Sequence, residues 1–320
     1  MILTKTPFRI SFAGGGSDYI SKNKIYGEVV SVTIDKHIYV MVNQKHDDNI
    51  RISYSITENV KKVSDIKHDI VRNCLKYCDI KKGIEIVIMA DIPSSGSGLG
   101  SSSSLTVGLL KALFEYNKKK INNYNLARTA YYVEAVLCKK KIGLQDHFNA
   151  VYGGFKNYKF YSFKKIIIKD MILSAKNRKD FLNKLSLYYT GINRKADKIL
   201  GAISKKYDAE KKLILKHETY IFKDSLKDKN YKKIGKVLNK SWEFKKNFGN
   251  AKVRKKLNLD YMKAMKLGVY GGKILGAGGG GYFLFISDLN RKKALKNTLK
   301  NLQKINFDFT NEGSQIVYND

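Results

Sequence analysis

The chain has 320 residues, 43% of them hydrophobic, enough for one large or two ordinary domains with a sizeable core. Its 61 basic and 28 acidic residues leave a net charge of +33, yet only eight of the basic residues are arginine and the lysines are spread along the chain, which argues against a nucleic-acid surface with its clustered arginine forks. No apolar run reaches the roughly 18 residues that cross a membrane, the first residues carry no signal-peptide pattern, and three sparse cysteines imply no disulfide framework, so a reduced, cytoplasmic setting is expected.

Residues 7–20, PFRISFAGGGSDYI, read as a strand running into Gly14, Gly15 and Gly16, then Ser17 and Asp18. A carboxylate after a glycine turn suits hydroxyl groups such as those of a sugar; an Asx turn fits the same pattern. Residues 28–43, EVVSVTIDKHIYVMVN, are β-branched and aromatic and read as a strand. Cys74 and Cys78 lie four apart with no further pair to complete a metal site, so they read as buried thiols. Residues 83–93, GIEIVIMADIP, read as a buried strand stopped by Pro93.

PSSGSGLGSSSS follows at residues 93–104, leading into an expected helix over 102–114 with Leu105, Leu109, Leu110 and Leu113 on one face. The order strand, small-residue loop, helix concentrates unpaired amides and the positive helix end at one place, which is an anion site. Gly96, Gly98 and Gly100 remove the Cβ atoms that would block close approach, and serine hydroxyls add donors, one of which could ligate Mg²⁺. No lysine follows the glycines, so this is not a Walker A loop, and a protein-kinase glycine loop would lie between two strands.

A second helix is expected over 126–138, its stripe formed by Leu126, Ala130, Val133 and Leu137. Glu134 flanks that stripe at the core boundary, where it could ligate a cation or reach water. Asp146, in GLQDHFNAVYGGF, sits among apolar and small residues as a candidate general base. His147 beside it is either a rival base or a neighbour in a hydrogen-bond network.

From about Met171, lysine-rich amphipathic helices dominate, their charges read as solvated faces. The expected organisation is two domains, 1–180 and 181–320. Residues 273–285, KILGAGGGGYFLF, contain GxGxxG at Gly276, Gly278 and Gly281, but a strand follows where a dinucleotide site needs a helix. Five glycines within six residues still signal close approach by a backbone or ligand. GGYFLFIS (280–287) and INFDFT (305–310) read as strands.

Taken together and in order, PFRISFAGGGSD, PSSGSGLGSSSS and KILGAGGGGYFLF resemble the GHMP small-molecule kinases, which include galactokinase, homoserine kinase and mevalonate kinase. FAGGGSDY, GEVVSVTIDKHIYV, VGLLKALFEY, GLQDHFNAVYGGF, YYTGINRKAD, SWEFKK and GGKILGAGGGGYF look like the sugar-1-kinase branch acting on heptose phosphate; the fucokinase kinase domain shares part of the pattern. The resemblance implies an α+β fold of two domains, the first like ribosomal protein S5 domain 2 and the second ferredoxin-like, with the site between them.

It also implies ATP and Mg²⁺. Ser95, Gly96, Ser97, Gly98, Leu99, Gly100, Ser101, Ser102 and Ser103 would wrap the ATP phosphates, and Ser102 and Glu134 would hold Mg²⁺. Asp146 would be the base or orient the acceptor hydroxyl, and Arg9 would place a cation near the transferred phosphoryl group. Gly15, Gly16, Ser17, Asp18, Lys273, Gly278 and Gly279 would shape the sugar site, with Arg194, joined by Lys195, at a remote phosphate. The implied reaction phosphorylates C1 of a heptose 7-phosphate to the 1,7-bisphosphate, for nucleotide-activated heptose. The partner is thus a small sugar phosphate, not nucleic acid or membrane, and the resemblance leaves room for a homodimer.

Two residues depart from the branch pattern: Ser17 stands where threonine is more usual, and His147 where glutamine is. The alternatives are a fucokinase-like or mevalonate-type enzyme of the same fold, or a non-catalytic basic binding protein on this scaffold, against which the intact Ser102, Glu134 and Asp146 argue.

Overall fold

The computed structural model describes residues 1–19, 27–94, 96–163, 165–192, 209–247 and 250–320, the side chains of 209–213 excepted. Strand β1 (Ile2–Ala13) runs antiparallel to β2 (Gly27–Gln44), whose alternating Val and Ile side chains fill the core. β2 is long enough to use its far edge twice. Residues 38–44 pair with β5 (Ile84–Ala90) and residues 27–32 with β6 (Phe155–Ser162). Beyond β5 lie β3 (Ile50–Ser53) and β4 (Thr57–Val60), and β6 pairs with β7 (Lys165–Asp170). The outer edge of β1 is covered by β12 (Gln315–Asn319), which returns from the far end of the chain.

One face of this sheet carries helices α1 (Asp69–Tyr77), α2 (Ser101–Tyr116), α3 (Asn123–Tyr132) and α4 (Gln145–Tyr152). α2 lies so close to β1 that a Cβ on Gly108 would stand 2.7 Å from Thr6 Oγ1. The expected helix over 126–138 breaks into α3 and a π-type turn, Val133–Leu137, closed by Cys138 N–H on Val133 O.

The second half supplies α5 (Ala175–Lys184), β8 (Leu185–Tyr189), α6 (Ala209–Lys227), α7 (Tyr231–Lys245), α8 (Ala251–Lys266), β9 (Gly271–Ile274), β10 (Tyr282–Ile286), α9 (Leu289–Thr298) and β11 (Gln303–Ile305). Its four strands form an antiparallel sheet in the order β11-β8-β10-β9. The boundary expected near residue 180 meets α5. The 305–310 run, expected as a strand, gives only Ile305 to β11; Phe309 makes a single bridge to Ile34 and turns its ring into the core.

The two sheets share a core. Phe12 of β1 packs against Phe155, Phe181, Phe222 and Phe309, with centroids 5.2–6.5 Å away. A second cluster around Trp242, Tyr261, Phe283 and Phe285 sits behind the smaller sheet. Cys74 and Cys78 are buried and unbridged, as expected. Among the described residues no helix is long and apolar enough to cross a membrane.

Candidate active site

Most helices here begin on a side-chain cap: Asn122 for α3, Ser174 for α5, Asn230 for α7, Asn250 for α8 and Asp288 for α9. α2 begins on Gly100 at φ 75° with no side-chain cap. Its first amides and the positive end of the helix are therefore left to whatever occupies the cleft before them.

That cleft, about 1200 Å³ counted out to its open mouth, gathers the three glycine-rich loops. The three stretches that carry the loops touch one another. Arg9 N–H donates to Leu99 O and its Nη1 to Gly98 O. A Cβ on Gly281, at φ +88°, would lie 2.1 Å from Ser97 O, and Tyr282 Oη donates to Pro93 O at 2.9 Å. The glycine surplus in the third loop thus has a reason: one glycine loop packs on the other.

The serines divide by role. Ser97 Oγ accepts from Leu99 N–H, Ser101 Oγ donates to Ser94 O, and Ser104 Oγ donates to Pro7 O. Ser103 Oγ donates to Glu134 Oε2 at 3.0 Å. Ser102 lines the cleft beside Glu134.

Glu134, expected at the core boundary, is instead wholly buried at the back of the cleft. The π-type turn carries it inward. Its Oε2 also meets His147 Nε2 at 2.9 Å, Lys140 Nζ stands 3.9 Å from Oε1, and among the described residues Oε1 has no hydrogen-bond partner. Burial pushes its pKa up, but the contacts with His147 and Lys140 and the Ser102 hydroxyl outweigh that and hold it below the usual value. An ionised, orphaned, buried carboxylate oxygen beside a hydroxyl is a donor set that fits Mg²⁺. Among the described residues no group of three His, Cys, Asp or Glu side chains could hold a metal, so phosphate oxygens and water would complete the shell.

Asp146 opens α4 and meets Arg9 in a two-pronged ion pair, with its side chain a quarter exposed to the cleft. Asp18 is buried at the cleft wall. It accepts from Gly16 N–H, Gln145 N–H and Gln145 Nε2. Burial raises its pKa; the Gln145 amide opposes this and the neighbouring Asp146 adds to it. Gly143 approaches so closely that a Cβ there would fall 2.0 Å from Asp18 Oδ2.

Of the residues singled out in the sequence, Arg9, Gly15, Gly16, Asp18, Gly96, Ser97, Gly98, Gly100, Ser101, Ser102, Ser103, Glu134 and Asp146 line this one cleft. Others stand behind it. Leu99 is core, and Ser17 is buried with its hydroxyl on Gly14 O and Glu28 O. Lys273 is buried with Nζ on Phe12 O at 2.7 Å. The third loop meets the cleft with Gly276 and Ala277 in place of Gly278 and Gly279. Ser95, Arg194 and Lys195 lie outside the described residues. His147 does not reach the cleft: it is wholly buried against Glu134. Sequence reasoning missed Lys140, Gln145 and Lys245, all lining the cleft; Gln145 was visible as the neighbour of Asp146, the two lysines only as members of charge runs.

A family model for the GHMP kinase N-terminal domain matches residues 64–154. The chain is similar to D-glycero-alpha-D-manno-heptose 7-phosphate kinase of Campylobacter jejuni, 31% identical over 98% of this chain and 97% of that one. It is also similar to galactokinase of Pyrococcus furiosus, 25% identical over 93% and 92%. Among solved structures, a D-glycero-D-manno-heptose 1-phosphate kinase from Bacteroides thetaiotaomicron matches with a TM-score of 0.78 at 22% identity, covering all of both chains. Full-length likeness to these kinases, on a mixed α+β frame whose glycine loops converge on one uncapped helix, gives the assignment: the chain belongs to the GHMP kinases.

Proposed function

We propose that this kinase transfers the γ-phosphoryl group of ATP to the anomeric C1 hydroxyl of D-glycero-D-manno-heptose 7-phosphate, giving the 1,7-bisphosphate. The observation that carries the chemistry is the Arg9 guanidinium, which joins the Asp146 carboxylate to the Gly98 carbonyl. It ties a candidate base to the loop before α2, so acceptor and phosphate chain meet at one point. The choice of sugar is supported by the 31% identical Campylobacter jejuni heptose kinase.

Phosphoryl transfer asks the protein mainly for position and charge neutralisation. The amides of residues 96–103 and the start of α2 face the phosphate chain. Arg9 sets positive charge where negative charge gathers. Mg²⁺, held by Ser102 and Glu134, would supply further neutralisation at the phosphate oxygens. Each Asp146 oxygen keeps a lone pair beyond its bond to Arg9; one accepts the hydrogen bond of the anomeric hydroxyl and takes its proton as attack proceeds. Asp18 steadies Gln145, and through it Asp146, and with Gly15 and Gly16 bounds the sugar. Arg194 is our candidate for the 7-phosphate, because a guanidinium matches phosphate with paired hydrogen bonds.

A coupled ADP-release assay over heptose 7-phosphate, the unphosphorylated heptose, galactose, fucose and mevalonate tests this reading. Turnover of the heptose 7-phosphate with ³¹P signals at C1 and C7 of the product is expected. Preference for any other acceptor overturns the substrate, and no turnover of any, with no ATP hydrolysis, overturns the mechanism. Arg194→Ala should raise KM for the sugar phosphate far more than for ATP; equal effects remove it from the phosphate site.

A further inference from the structure

His147 is wholly buried, and among the described residues its ring makes one hydrogen bond, Nε2 to Glu134 Oε2 at 2.9 Å, and Nδ1 has no hydrogen-bond partner. Tyr131 meets the ring edge-on, with centroids 5.6 Å apart and planes at 90°, which fixes its tilt. A buried imidazole with one unsatisfied nitrogen costs stability that an apolar side chain of the same size would not. What the fold obtains in return is confined to Glu134.

Glu134 needs such a partner. It sits on the π-type turn with no exposed surface, and a buried carboxylate swings toward any available cation or water unless it is held. Lys140 Nζ, 3.9 Å from Oε1 and 3.3 Å from Asp69 Oδ2, offers such an alternative. His147 and Ser103 both bind Oε2, and among the described residues no hydrogen bond occupies Oε1, which has only the ammonium of Lys140 at 3.9 Å. α4 thus uses two successive side chains near its start for two different partners: Asp146 for Arg9, His147 for Glu134.

We propose that His147 is a positioning residue for the metal-binding carboxylate, its Nε2–H clamping Glu134 Oε2 so that Oε1 is kept for the cation. This rests on the reading of Glu134 as a Mg²⁺ ligand. A partner that orients a ligating group commonly matters about ten- to a hundredfold to metal affinity.

The test uses the full chain, Mn²⁺ as the probe and a non-hydrolysable ATP analogue, with bound Mn²⁺ read by electron paramagnetic resonance. Glu134→Gln must weaken Mn²⁺ binding; if it binds as the unmodified protein does, the reading of Glu134 falls and the inference with it. His147→Leu should weaken Mn²⁺ about ten- to a hundredfold while metal-free binding of the analogue and the melting temperature hold. His147→Gln, which keeps an N–H donor, should restore most of the affinity. Mn²⁺ binding undiminished in His147→Leu, with Glu134→Gln defective, overturns the inference alone. Should the leucine variant not fold, ¹⁵N-histidine NMR on the unmodified protein decides. Adding Mg²⁺ to the analogue complex must shift the His147 Nε2 signal, and an unmoved signal overturns the proposal.

Discussion

Arg9 grips Asp146 with two parallel hydrogen bonds, Nε to Oδ1 and Nη2 to Oδ2, each 2.7 Å long. Fork and carboxylate behave as a unit, so their losses should not add. Asp146→Asn is expected to lower kcat about 10²–10⁴-fold while the calorimetric affinity for an ATP analogue changes little. Arg9→Lys should also cost activity, because an ammonium cannot reproduce the planar fork. Steady-state kinetics of the double variant should come out no worse than the poorer single one; additive losses would separate the two residues.

The serine run makes a contrast between neighbours. Ser104 donates to Pro7 O from a buried site, so Ser104→Ala should lose about 1–3 kcal/mol in urea unfolding with kcat/KM intact. Ser102 faces the cleft, so Ser102→Ala should keep its stability and need more Mg²⁺ for half-maximal rate. A reversal of that pattern would exchange their roles.

Gly281 carries both a positive φ and the contact with Ser97 O. Gly281→Ala should destabilise by more than the about 1–3 kcal/mol of backbone strain and should weaken nucleotide binding through the displaced loop. Gly191, at φ +68° with nothing within 4 Å of a Cβ among the described residues, is the control. Gly191→Ala should show the strain alone, about 1–2 kcal/mol, with nucleotide affinity unchanged by calorimetry.

Lys273 gives a pH signature. Burial, then the charges of Lys245 and Arg9, push its pKa well below 10.5. The unfolded chain therefore binds more protons at this site than the folded one between the lowered value and 10.5, and folding stability from this group rises with pH across that window. Lys273→Met should flatten the rise, seen as a smaller change in unfolding midpoint on going from neutral to alkaline buffer than in the unmodified protein. An unchanged slope would mean that the ammonium stays charged in the fold.

Much of this arrangement could be read from local pattern. The β-branched run of β2, the leucine face of α2 and the three glycine loops are short-range signals, and each falls where its spacing put it. What escaped depends on partners distant in the chain. Glu134 looked like a helix-edge carboxylate because periodicity assumes an unbroken α-helix; a single π-type turn moved it inside, where it meets His147 thirteen residues on, from another helix. Phe309 looked like a strand residue by composition, but its ring fills the space beside Phe12, and packing took precedence over the ladder. Lys140 and Lys245 were hidden among 51 other lysines of the same appearance, which differ only in where the fold turns them.

The pairing of β1 with β12 bears on biogenesis. The first strand leaves the ribosome almost a whole chain ahead of the strand that covers its edge. At about 5–20 residues per second that edge stays open for some tens of seconds during translation. An open edge of this kind invites pairing by another strand, and β1 gains its outer neighbour only once residues 315–319 have been made.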